Sequence, residues 1–140
     1  TPGGNQHPHP TGPSGNSDGD AVLHAVADAV LGAAGLDDLG TLFPDTDPDG
    51  EGADSRQLLG ACWERVVAEG WTLGNLDVVI ATEGPRIAPH RAAMRASIAG
   101  LLGADETCVN VKGKSLEGLG ALAGGTGVAV QAIVLLDRAS

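Results

Sequence analysis

The sequence predicts one domain of the α/β (α+β) class, in which a small mixed sheet packs with helices. A length of 140 residues suits a single core better than two. Apolar residues make up 42% of the chain, which is enough to build that core. Amphipathic helical stretches and β-branched runs follow one another along the chain, a pattern typical of helices covering a sheet.

Three helices are predicted where apolar residues recur at helical spacing. Their expected ranges are 17–35, 54–70 and 87–103. Ser17 and Asp18 are suited to cap the first helix, and Asp54 or Ser55 to cap the second. Each range ends at a glycine, the residue that most readily adopts the backbone conformation that ends a helix. The apolar stripes are Leu23, Val26, Ala27, Val30 and Leu31; Leu58, Leu59, Cys62, Trp63, Val66 and Val67; and Ile87, Met94, Ile98, Leu101 and Leu102.

Three strands complete the expected fold. The run LDVVIA at 76–81 predicts a buried strand, and further strands are expected at 107–112 and 128–136. Residues 1–16 hold four Pro and four Gly without hydrophobic periodicity, so they are interpreted as a flexible lead-in to a domain spanning 17–140. Residues 36–53 form a long polar loop, and loops of this length in compact domains are commonly functional.

The charge and composition disfavour several classes of partner. The net charge is −10, and residues 1–55 contain nine Asp and one Glu but no Lys or Arg. This balance argues against binding to nucleic acid or to an anionic membrane. The sequence shows neither a run of eighteen apolar residues nor a secretory signal, so a cytoplasmic protein is expected. Cys62 and Cys108 are expected to be buried and reduced, Cys108 within a strand.

The acidic residues are clustered beside Gly and Pro, as in Asp37 with Asp38 and in the FPDTDP segment that contains Asp45. Loops of clustered carboxylates suit divalent cations and substrate hydroxyls, although a simple solvated face would have the same composition. A phosphate at the start of the first helix, near Ser17, would therefore need a cation between it and the carboxylates. Glu117 is a candidate to help hold that cation.

One histidine stands on the polar side of the first helix. Asp20, His24 and Asp28 are spaced by four residues and share one face. The ridge is either a surface feature or the position of a metal ligand, and a zinc site would need at least three protein ligands. His7 and His9 could also reach a metal, or they could be incidental to the Pro-rich segment.

Several long motifs resemble the methylerythritol cyclodiphosphate synthase family of the non-mevalonate isoprenoid pathway. They are SDGDAVLHAVADAVLGAAGLDDLGTLFPDTDP at 17–48, GADSRQLL at 52–59, GWTLGNLDVVIA at 70–81, PRIAPH at 85–90, and VNVK with EGLG within 109–120. The resemblance implies a homotrimer of small α/β subunits, with active sites at the subunit interfaces and an apolar channel along the threefold axis. The resemblance also implies that the ligand is a cytidine nucleotide.

In that family, the 2-phosphate of the substrate attacks the β-phosphate of its own CDP group, and CMP leaves. The resemblance implies Zn²⁺ at His24 and Mg²⁺ or Mn²⁺ near Glu117. It places the methylerythritol moiety at Asp38 and Gly40, beside the loop of Asp45. The expected substrate-binding residues are Ser17, Asp38, Gly40, Asp45, Thr82, Arg86, Ile87, Ala88, Lys114 and Ser115. The catalytic candidates among them are Asp38, Asp45 and Lys114. The resemblance implies a cytidine pocket formed by Thr82, Arg86, Ile87 and Ala88.

Several positions depart from the family pattern. The Asp-x-His zinc ligands of the family's first strand have no counterpart in these residues, and Asn16 stands where the family has His. The diphosphate-binding Thr-Thr pair is replaced by Lys114-Ser115, and a phosphate-binding Arg is replaced by Gly124. Three hypotheses therefore remain. The first is the cyclase itself, either as it stands or with its first strand lying outside these residues. The second is a diverged homologue acting on another CDP-linked or phosphorylated substrate, and the third is a non-catalytic trimeric binding protein.

Overall fold

The computed structural model describes residues 12–44, 52–82, 90–115 and 128–139. Within them lie four α-helices and three β-strands, with one turn of 3-10 helix at Glu106–Cys108. The helices are α1 (Gly12–Ala33), α2 (Leu39–Leu42), α3 (Gly52–Ala68) and α4 (Arg91–Leu101). The strands are β1 (Trp71–Thr82), β2 (Val109–Ser115) and β3 (Val128–Arg138).

The strands form a mixed sheet in the order β2-β1-β3, which confirms the predicted fold class. β1 is central: it pairs in parallel with β2, Leu76 opposite Val109, and antiparallel with β3, Leu76 opposite Val134. Antiparallel pairing with β3 is interrupted by an irregularity between Leu73 and Asn75.

The core lies between the helices and one face of this sheet. Alternate residues of β1, Leu76, Val78 and Ile80, are fully buried, as expected when one face of a strand points inward. α1 packs against α3 and β3, and α4 packs against β2. The predicted stripes are buried as follows: Val26, Ala27, Val30 and Leu31 of α1; Leu58, Leu59, Cys62, Trp63 and Val66 of α3; and Ile98 of α4 with Leu102 just after it.

All three glycines predicted to end helices have a positive φ angle: 77° at Gly35, 94° at Gly70 and 59° at Gly103. After α1, the backbone N–H of Leu36 bonds back to the carbonyl of Leu31 at 2.9 Å, which closes the helix end. This left-handed conformation strains residues that have a Cβ, so these stops are determined locally.

The N-terminal boundary of α1 was predicted wrongly. The helix begins at Gly12 rather than at the Ser17 cap, so residues 12–16 belong to it and not to the lead-in. Pro13 stands in the first turn, where the N–H that proline lacks would have no intrahelical partner. Proline therefore marks a helix start here, whereas its presence in a Pro/Gly-rich segment had favoured a loop.

Other boundaries also differ from the prediction. α3 begins at Gly52, so Ser55 lies within its first turn instead of capping it. α4 begins at Arg91, and Ile87, expected in its apolar stripe, lies outside the described residues. Cys108 lies in the 3-10 turn rather than in a strand, because pairing of β2 with β1 starts only at Val109.

A short helix, α2, lies within the segment predicted to be a long polar loop. Asp38 caps it: a carboxylate oxygen accepts a hydrogen bond from the backbone N–H of Thr41 at 3.3 Å. The Thr41 hydroxyl, followed by this N–H, lowers the pKa of the exposed Asp38 carboxyl below its ordinary value. Asp38 is therefore held ionised at a fixed position.

Both cysteines are free, as predicted. Cys62 is fully buried in α3, and this burial raises the pKa of its thiol to about 11, whereas Cys108 is half-buried. Among the described residues, no helix combines the length and apolarity needed to cross a bilayer.

Val66 and Val67 are adjacent in α3 and provide a matched test of the core. Val66 is fully buried, whereas Val67 is 49% exposed. We expect Val66→Ala to lower the free energy of unfolding by about 2 kcal/mol through lost apolar burial and the cavity left behind. Val67→Ala should cost about 0.5 kcal/mol or less. Urea denaturation measures both, and equal losses would contradict the assigned orientation of α3.

Thr41 provides a test of the Asp38 cap. Replacing Thr41 by Val removes the hydroxyl that contributes most to the lowered pKa of Asp38. The midpoint of the Asp38 carboxyl ¹³C titration should rise toward about 3.9, whereas Thr41→Ser should preserve the lowered value. Since the folded pKa is the lower one, the cap stabilises the fold above about pH 3.9 and loses this effect as pH falls through the folded pKa. An unchanged midpoint in Thr41→Val would contradict the contact.

Candidate functional site

His24 lies on α1, half-buried, on the side of the helix that faces α3. Its Nε2 atom is 3.3 Å from the Oγ atom of Ser55, which is fully buried near the start of α3. The contact joins residues that are 31 positions apart in sequence. His24 is therefore held by a neighbouring helix, and is not simply a solvated surface side chain.

Asp28, one turn after His24, connects α1 to α2. One of its carboxylate oxygens accepts a hydrogen bond from the backbone N–H of Leu39 at 3.4 Å. Leu39 lies between Asp38 and Gly40, the two residues predicted to bind the methylerythritol moiety. The predicted ridge on α1 thus has two functions: His24 contacts α3, and Asp28 holds the segment that carries Asp38.

A second contact supports the same segment from α3. The guanidinium of Arg65 lies over the ring of Phe43, 5.4 Å from its centroid. Phe43 directly follows α2, and its backbone N–H bonds to the carbonyl of Leu39. The segment from Asp38 to Phe43 is therefore fixed at its start by α1 and at its end by α3, which holds Asp38 and Gly40 on a rigid support.

Other predicted site residues meet at one edge of the sheet. β1 and β2 are parallel, so their carboxyl ends lie side by side. Thr82 stands opposite Ser115, and Ala81 opposite the exposed Lys114. The register thus places one predicted cytidine-pocket residue next to the predicted phosphate-binding pair.

The remaining predicted site residues fall into two groups. Ser17 lies within α1, after its first turn. The others, Asp45, Arg86, Ile87, Ala88 and Glu117, lie outside the described residues. Within the part of the chain that is described, no three His, Cys, Asp or Glu side chains converge into a metal-binding group. A zinc ion requires three or more protein ligands, so His24 is a suitable single donor but these residues do not by themselves form a zinc site.

The prediction missed three supporting residues, Ser55, Arg65 and Phe43. Ser55 was interpreted as a possible helix cap, and the other two were not singled out. Each acts by contact between helices that are far apart in sequence. No local motif signals such contacts.

Comparison with known proteins identifies the family. A sequence model described as "YgbB family" matches residues 2–137. The chain is 50% identical over 137 residues to 2-C-methyl-D-erythritol 2,4-cyclodiphosphate synthase of Cronobacter sakazakii, covering 98% of this chain and 86% of that protein. It is 52% identical over 136 residues to the protein of the same name from Halalkalibacterium halodurans, covering 97% and 87%.

Solved structures have the same fold. The bifunctional IspDF of Campylobacter jejuni superposes with a TM-score of 0.76 at 37% identity, over 84% of this chain and 32% of that longer chain. A CDP complex of Plasmodium falciparum IspF gives a TM-score of 0.74 at 28% identity, over 86% and 72%. With a family match and relatives near 50% identity over almost the whole length, the chain belongs to the YgbB family.

Proposed function

We propose that this protein is a cyclodiphosphate synthase of the non-mevalonate pathway, converting CDP-methylerythritol 2-phosphate to methylerythritol cyclodiphosphate and CMP. The observation that carries the proposal is the identity of about 50%, over nearly the whole chain, to relatives named for this activity. The geometry supports it, because α1 holds His24 and also anchors the segment of Asp38 and Gly40.

The proposed role of Asp38 is to fix the methylerythritol moiety. Its carboxylate is exposed, ionised and held by Thr41, so it can accept hydrogen bonds from substrate hydroxyls. Gly40 lies two residues further on, and Asp45 follows α2 in the same segment. Holding the 2-phosphate close to the β-phosphate converts the cyclisation into a reaction between positioned groups, which is a large part of such catalysis.

The proposed phosphate site lies at the carboxyl edge of β1 and β2. Lys114 would supply a positive charge where the family has a neutral Thr, with Ser115 and Ser17 as further hydroxyl donors. Lys114 is exposed at the end of β2, so its side chain is accessible to a diphosphate. The cytidine would lie against Thr82, Arg86, Ile87 and Ala88, in line with the CDP complex of the Plasmodium relative.

Members of this family use divalent metal ions. We propose Zn²⁺ with His24 as one ligand and Mg²⁺ or Mn²⁺ near Glu117. Bound there, the ions would withdraw electron density from the phosphate oxygens and neutralise their charge. The contribution of His24 itself is an imidazole nitrogen at a position fixed by α3.

The outer face of the sheet supports the proposed homotrimer. Ile133 and Leu135 of β3 are 61% and 62% exposed on this face, and large apolar side chains at this level of exposure suit a protein interface. Beside them, Lys112 and Asp77 form a salt bridge of 3.1 Å, and Asn110 donates a hydrogen bond to the same carboxylate. These polar contacts fix the register of the face without covering its apolar residues.

We expect turnover that depends on His24 and Asp38. CMP release from CDP-methylerythritol 2-phosphate, with Zn²⁺ and Mg²⁺ present, should fall about 100-fold or more in His24→Ala and in Asp38→Ala. Asp37→Ala is the matched control, since Asp37 is an exposed neighbour with no assigned role, and it should retain activity.

An inactive wild-type protein that is folded and trimeric would overturn the cyclase proposal. Binding of CDP without turnover would then favour the homologue acting on another CDP-linked or phosphorylated substrate. Absence of both nucleotide and metal binding would favour the non-catalytic trimer.

We expect the outer sheet face to control assembly. Leu135→Glu would bury an unpaired charge in the proposed interface, so the mass in solution should fall from that of three chains to that of one. Val67→Glu, on the exposed side of α3, should leave the trimer intact. Light scattering coupled to size exclusion measures both masses, and a Leu135→Glu protein that remains trimeric would refute this interface.

A further inference from the structure

Ser55 is the one polar side chain among the described residues that is fully buried, at 2% exposure. It stands near the start of α3, where a serine would normally face solvent or cap the helix. Burying a hydroxyl without a hydrogen-bond partner is unfavourable. The contact with His24 is the one side-chain hydrogen bond that the described part of the chain gives Ser55, and it constrains both residues.

The contact engages one particular atom of the imidazole. Ser55 Oγ lies 3.3 Å from Nε2, while no described side chain is hydrogen-bonded to Nδ1. A neutral imidazole carries a hydrogen on one nitrogen and a lone pair on the other. The hydrogen-bond partner of one nitrogen therefore determines whether the other nitrogen carries a hydrogen or a lone pair.

We propose that Ser55 is a positioning residue for His24: its hydroxyl accepts a hydrogen bond from Nε2–H, which orients the ring and leaves the lone pair on Nδ1 available. Orientation of the ring follows from the contact alone. The assignment of the hydrogen to Nε2 rests on the proposed function, because only the nitrogen without a hydrogen can bind a cation or accept a proton.

The test reads the tautomer of the ring directly. Protein labelled with ¹⁵N-histidine and freed of metal is studied by long-range ¹H–¹⁵N NMR at alkaline pH, with the neutral state verified from the shifts. The chain has four histidines, so the His24 signals are assigned by their loss in His24→Gln. The wild type should show hydrogen on Nε2, and finding it mainly on Nδ1 would overturn the assignment without any further variant.

Two variants remove the contact and one restores it. In Ser55→Ala the His24 shifts should move toward a mixture of both tautomers, and Ser55→Cys should do the same while keeping the space filled. Ser55→Thr retains the hydroxyl and should restore the wild-type shifts. Cys62→Ala is the matched control, because it removes one heavy atom from another buried position of α3 and leaves the Ser55 hydroxyl in place. Its His24 shifts should stay as in the wild type.

Unchanged His24 shifts in folded Ser55→Ala and Ser55→Cys would overturn the proposal. CMP release provides the second measurement: kcat should fall about 10- to 100-fold in Ser55→Ala, with recovery in Ser55→Thr. Failure of the two proposals can be distinguished. If the wild type has no cyclase activity but the shifts respond as expected, the positioning role stands and the proposed function falls.

Discussion

The arrangement of this protein depends on burial of one face of β1. Leu76, Val78 and Ile80 are fully removed from water, and β1 is paired on both sides, so it cannot shift without breaking the register with β2 and β3 together. A slip of one residue would move Asp77 into the core, where an unpaired carboxylate is costly. The helices then have one surface on which to bury their apolar stripes.

The position of α1 on that surface also determines the geometry of the candidate site. Its apolar stripe faces the core, and the polar ridge beside that stripe contacts α2 and α3. His24 meets Ser55 of α3, and Asp28 meets Leu39 at the start of α2. One side of α1 thus packs in the core while another positions the site. A change that rotates α1 would therefore displace His24 and Asp38 together.

The sheet has a second face with a different role. Ile133 and Leu135 remain exposed there, although their strand is as apolar as a core strand. Asp77, Asn110 and Lys112 join β1 to β2 on the same face, and these contacts help to hold the register of the two strands. A partly apolar face whose backbone is already held in a sheet would lose little backbone conformational entropy on packing against another surface.

The sequence alone determined what is encoded locally. Helical periodicity located the stripes of α1 and α3, and Gly35, Gly70 and Gly103 marked the helix ends because left-handed backbone favours glycine. It also singled out His24, Asp38 and the strand at 76–81, and motif resemblance indicated the family.

Tertiary structure decided the rest, since these features depend on residues that are distant in sequence. The contact between His24 and Ser55 spans 31 positions, and the pairing of Thr82 with Ser115 requires the register of two strands separated by a helix. Leu135 is exposed because the helices pack against the other face of the sheet. When both faces of a strand are apolar, its sequence pattern does not indicate which face is buried.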